Sequence, residues 1–147
     1  MATTTFVNGT TTSDEDWFND VDRLHYDIFG DPADSGEVIQ ALSYSVDSKS
    51  ANYPIVLTDA NHVLVHAAAD DNPRTFTIPA NASVAFPVGT VLIFVNLINT
   101  LTIDITTDTM ILAVTGSTGS RTIDANGVAT ALKVASTTWI ISGSGLS

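Results

Sequence analysis

A chain of 147 residues, 44 % of them apolar, suits one compact domain, or a small domain with an appendage, and can build a core without metals or disulfides. Cysteine is absent, which excludes disulfides, thiolate metal sites and cysteine nucleophiles. Sixteen acids against five bases give a net charge of −11, and that argues against a nucleic-acid partner, because phosphate binding draws on clustered Lys and Arg.

The charge is uneven. Residues 1–50 hold ten acids and two bases, whereas residues 51–147 hold six and three and are rich in Thr, Ser, Asn and Ala. The amino terminus lacks a basic start followed by an apolar run, so no signal peptide is expected. The longest apolar stretch, around Val91–Ile98, is strand-sized and too short for a membrane helix, so no membrane partner is expected.

In chain order, residues 1–12 are Thr-rich, with a turn signal at Asn8-Gly9, and read as an extended arm. Residues 13–29 carry a helix pattern. Ser13 suits the N-cap, and Asp14, Glu15 and Asp16 fill the first turn, where the helix dipole favours acids. Trp17, Val21, Leu24 and Ile28 fall four, three and four apart, which makes one seam, and Phe18 and Phe29 widen it. Gly30-Asp31-Pro32 stops the helix. Residues 31–50 fit a short helix slightly better than a strand, and the polar run 47–52 reads as the boundary between an attachment region, 1–50, and a β-module, 51–147.

From residue 53 short strands alternate with turn signals: 53–58, 62–67, 74–78, 90–97, 100–106, 109–115, 120–125, 128–135 and 137–142. Leu101, Ile103 and Ile105 alternate with Thr and Asp, so one face is buried and the other wet. Asn126-Gly127 predicts a two-residue hairpin turn, and Gly116–Gly119 another turn. The expected fold is mainly β: an arm and a short helix, then an antiparallel β-sandwich or jelly-roll-like module rather than a parallel sheet.

The chemistry is sparse. His62 and His66 stand four apart on one predicted strand, a spacing more often met at surfaces or subunit contacts than at a metal, so neither a metal nor another cofactor is expected. Asp70-Asp71-Asn72 lacks the alternating ligands of a calcium loop and reads as a solvated turn. Ser142–Gly145 reads as a flexible end, not a nucleophile turn. No catalytic residues emerge, and no enzyme activity is expected.

The most informative feature is the apolar seam, which a lone short helix cannot bury by itself. The β-module of the same chain is one cover; symmetry mates or another surface are others. Trp17-Phe18-Asn19-Asp20-Val21-Asp22, after the arm Phe6-Val7-Asn8-Gly9-Thr10, resembles the amino-terminal attachment segment of phage tail fibres and tailspikes. Phe18 stands where that segment usually has Leu, and Asp22 where it has Asn. Arg74–Asn81, Phe86–Thr90, Gly119–Ile123 and Trp139–Gly143 resemble a β-module of phage structural proteins, and the regions these segments bracket, 6–22 and 74–143, span about three-fifths of the chain.

The resemblance implies a homotrimeric virion protein, made in the bacterial cytoplasm and docked on the particle through Phe6, Val7, Trp17, Phe18, Val21, Leu24 and Ile28. The length, too short for a shaft and a tip, favours a capsid decoration (cement) or head-fibre protein on the major capsid protein, with host-surface glycans as a further partner. A short tail fibre, or an adaptor on a tail or portal-associated protein, is the alternative. A carbohydrate-binding β-sandwich is the reading from another class. It needs exposed aromatic platforms, and the β-half supplies only Trp139 and Tyr53, with Trp139 in an apolar strand that reads as core.

Overall fold

The computed structural model describes residues 44–147, which form one compact unit, Tyr44–Ser147. The expected arm, the helix expected over residues 13–29 and the seam residues Phe6, Val7, Trp17, Phe18, Val21, Leu24 and Ile28 lie outside the described residues.

The described unit is mainly β. Its strands are β1 (Val46–Lys49), β2 (Tyr53–Pro54), β3 (Val63–His66), β4 (Arg74–Ile78), β5 (Val91–Asn96), β6 (Leu101–Ile105), β7 (Thr109–Leu112), β8 (Arg121–Ala135) and β9 (Thr138–Leu146). A single 3₁₀ turn, Leu57–Asp59, interrupts them. The strand order β1-β3-β5-β8-β6-β4-β2 explains the architecture. Successive coils of chain lay β1, β3 and β5 side by side in parallel, and β2, β4 and β6 likewise. The long strand β8 then runs antiparallel to both stacks, pairing Arg121–Ile123 with β6 and Gly127–Leu132 with β5. Strand β9 returns along β8, and β7 adds to β9 in parallel.

This solenoid-like winding corrects the expected antiparallel module. Five of the eight ladders are parallel. Parallel neighbours need a crossover between them, and here the crossover from each strand of one stack is a strand of the other. Two further corrections follow from the same geometry. Asn126-Gly127 is not a hairpin turn. It sits inside β8 at a register shift against β9, where β8 changes partner from β6 to β5. Asn126 takes a left-handed φ of 65°, the conformation that makes Asn-Gly a turn signal, and here it produces a bulge. Ser142–Gly145 is not a flexible end either, because it belongs to β9 and pairs with β8. Gly143 is needed there. A Cβ on it would stand 2.1 Å from the carbonyl oxygen of Val128.

The domain boundary also moves. The polar run at 47–52 contains most of β1, and Val46–Lys49 is strand rather than helix, because pairing with β3 supplies its hydrogen bonds.

The core draws on both stacks. Leu64, Leu92 and Phe94 meet Phe76, Ile78, Leu101 and Ile103, together with Ile123, Ala129, Trp139 and Ile141 of β8 and β9. The alternation read in residues 100–106 holds for Leu101 and Ile103, which are buried, while Thr102 and Asp104 face out and Ile105 is half-buried. Trp139 is core, as its apolar strand predicts, and packs edge-on against Phe86 at 5.7 Å.

Between β7 and β8 the chain turns through Val114, Gly116 and Gly119, all with positive φ. Val114 is fully exposed at φ 72°, a region that crowds a β-branched side chain. Val114→Asn is expected to raise stability by about 1 kcal/mol, read from the denaturant midpoint. A loss of stability would show that the valine makes a compensating contact.

Candidate assembly surface

The two stacks bury equivalent inner faces but show different outer faces. On β4, β6 and β8 the outward row runs Thr75–Thr102–Thr122, with Thr77 and Asp104 beside it. That face is polar and suits water. On the other stack two outward rows run Val46–Val63–Ile93–Thr130–Ser142 and Ser48–Val65–Val95–Val128–Ser144, followed by Val91–Leu132–Ile140. The intervening residues Leu64, His66, Leu92, Phe94 and Asn96 are fully buried, so the valine-rich rows point away from the core. Val46 is 66 % exposed and Leu132 40 %. No residue in these rows carries a charge. A contiguous, mostly apolar sheet face of this kind on a chain of net charge −11 is a candidate interaction surface.

Sequence reasoning did not single out this face, although a signal for it exists. Residues 91–95 are apolar without alternation, which is the pattern of a strand whose two faces are both meant to be covered. Residues 101–106, with one wet face, alternate.

The polar residues picked out in the sequence are dispersed. His62 and His66 do not form a pair. His62 precedes β3, and its Nδ1 lies 2.9 Å from Asp47 Oδ2. His66 is fully buried, and its Nδ1 lies 2.7 Å from Asn96 Oδ1. Asn96 uses its Nδ2 to donate to the carbonyls of Asn99 and Ile123, so its Oδ1 accepts and His66 Nδ1 donates. His66 Nε2 then faces Asp70 Oδ2 at 3.5 Å.

Asp70 is not the solvated turn residue the sequence suggested. It is buried, and it accepts from Nε and Nη2 of Arg74 and from Asn72 Nδ2 at 2.7 Å. The Arg74 hydrogen bonds, then that of Asn72, hold its carboxyl well below the usual carboxylate range. A depressed folded-state pKa contributes stability above the unfolded value of 3.8, and this is lost as pH falls from there through the folded value. Arg74→Met removes the main cause, so its acid-unfolding midpoint is expected at higher pH than that of the parent, followed by tryptophan fluorescence. An unchanged midpoint would show that the pair does not govern acid stability.

Lys133 is buried at the opposite end of β8. Its Nζ donates to Asn81 Oδ1 at 2.6 Å and stands 5.5 Å from the Trp139 ring centre. Trp139 is sealed beneath this contact, and Phe76, Phe86 and Phe94 are buried as well. Sugar-binding platforms are therefore scarce in the strands, where Tyr53 is half-buried against Phe76 and only Tyr44, just before β1, is exposed.

None of the family models, curated proteins or solved structures compared with this chain matches it.

Proposed function

We propose that the chain is a non-enzymatic structural protein of a bacteriophage particle, a homotrimeric capsid decoration (cement) or head-fibre protein held on the major capsid protein by its amino-terminal region. The observation that carries this reading is the inequality of the two outer sheet faces, one of threonine and aspartate, the other mostly of valine, isoleucine and leucine with serine and threonine toward its margins. A monomer in water gains nothing from the second face. An assembly protein does, because identical copies can cover it for one another. Copies carrying −11 each repel, and a face without charges lets them meet without opposing like charges. The resemblance of the amino-terminal segment and of the strands to phage virion proteins points to the particle, and the scarcity of exposed aromatic platforms among the described residues weighs against a sugar-binding role.

Each bound copy adds binding energy that only the assembled shell collects, so decorated particles should resist heat better than bare ones. The test has two parts. Light scattering of the purified chain should give a trimer, in solution or on the particle. Electron cryomicroscopy of the phage that encodes the chain should place it on the capsid. Density on the tail would replace the decoration reading with a short tail fibre or adaptor. A monomer in both settings would end the trimer.

A further inference from the structure

Independently of the virion reading, we propose that Asp47, Asp59 and His62 form a binding site for one divalent transition-metal ion of the zinc class. The three residues come from β1, from the 3₁₀ turn and from the turn leading into β3. Parallel pairing of β1 with β3 brings these segments together, and one ligand atom from each residue lies within 4.8 Å of the others.

The acid in the middle is the one that needs a cation. Asp59 is 3 % exposed. Its Oδ2 accepts from the Val56 N–H at 2.8 Å and its Oδ1 from the Tyr53 hydroxyl at 3.2 Å, and both donors are neutral. These bonds fix the carboxylate's direction and leave a lone pair on each oxygen. Among the described residues no Lys or Arg lies within ion-pair distance of it. The nearby Lys49 ammonium sits 4.0 Å over the face of the Tyr53 ring. A buried carboxylate without a positive partner is costly, and a bound cation offsets that cost.

The imidazole is also in position. The His62 N–H donates to the carbonyl of Asp59 at 3.1 Å, which ties the histidine backbone to the turn that carries the acid. His62 Nδ1 and Asp47 Oδ2 share a proton across 2.9 Å. Two ligands on a tetrahedral zinc ion stand about 3.3 Å apart, given ligand distances near 2.0 Å. An ion between these two therefore asks for a spread of a few tenths of an ångström, while separations of up to 4.8 Å across the three residues must close toward that spacing, for which Asp47, half-exposed on an edge strand, has room to move. One imidazole nitrogen with two carboxylate oxygens suits zinc, manganese or cobalt better than calcium or magnesium, which favour all-oxygen shells. Three protein ligands leave a fourth position for water.

The test is titration calorimetry of the untagged, metal-stripped full chain with zinc, manganese and calcium, paired with thermal melts. One zinc equivalent is expected, with a raised melting temperature and calcium at least about tenfold weaker. His62→Ala and Asp59→Asn should each weaken zinc at least about tenfold, while Asp124→Asn, an exposed acid on β8, should leave it unchanged. Should Asp59→Asn fail to fold, Asp47→Asn, whose carboxylate is half-exposed, carries the same expectation. Absence of zinc binding by the parent chain, or binding that survives His62→Ala, overturns the proposal.

Discussion

Val128→Asp combined with Leu132→Asp is expected to turn the proposed trimer into a monomer while leaving the β-module folded. Both residues lie on β8 and point outward, each about two-fifths exposed in a single copy. Their neighbours Ala129, Ala131 and Lys133 point inward and are untouched by the change. In the isolated copy each aspartate reaches water, so folding loses only the modest β-preference of the parent residues, about 1 kcal/mol or less per site. Between copies the same aspartates are stripped of water beside valine and isoleucine, with no cation opposite. An unpaired buried charge costs about 3–5 kcal/mol, which is more than about a hundredfold in affinity for each copy. Light scattering reads the mass and circular dichroism reads the fold. A variant that stays trimeric would move the contact to the amino-terminal seam. Leu24→Asp then becomes the change that breaks assembly, with the β-module still melting on its own.

Phe94→Ala should cause the largest loss of stability in the module. Phe94 is fully buried in the middle of β5, and its inward row reads Leu64–Phe94–Ala129. Ala129, its row-mate on β8, is among the smallest residues, and β8 is hydrogen-bonded there to β5 on one side and β9 on the other. The surroundings therefore cannot collapse into the space. Truncating a buried phenylalanine costs about 3–5 kcal/mol when the cavity stays open. For a domain of about this size each kcal/mol lowers the melting temperature by about 4–8 °C, so a drop of at least about 12 °C is expected. A drop of only a few degrees would mean that the two stacks close over the gap, and that the winding is softer than its hydrogen bonding implies.

The positions of the strands were legible because local chemistry marks them. The alternation at 100–106, the Gly turn at 116–119 and the apolar run at 90–97 all fall where β6, the β7–β8 turn and β5 are found. Trp139 was legible as core for the same reason: it sits in an apolar strand. Asn126-Gly127 shows how local reading fails. Its left-handed conformation was legible, but whether it reverses the chain or bulges a strand depends on whether β5 and β6 are both present to receive the two halves of β8.

Asp70 and His66 failed in the same way. Their residue types suggested surface chemistry, and burial was decided by their partners, four residues away for Asp70 and thirty for His66. Arg74 arrives on β4 to neutralise Asp70, and Asn96 arrives on β5 to hold His66. The cluster of Asp47, Asp59 and His62 was out of reach, because Asp47 lies in the stretch read as a boundary, and only strand pairing places it beside the other two.

By itself the sequence determined that this is a cysteine-free, acidic chain with a β-rich carboxyl-terminal part whose strands alternate around an apolar core. Those properties follow from composition and from the two-residue period of a strand, which act over a few neighbouring positions. The tertiary structure decided which strands are parallel, which outer face is left apolar, and which polar residues meet. Such pairings join segments far apart in the chain. Their register rests on which coil lies beside which, and no short window of residues carries that information.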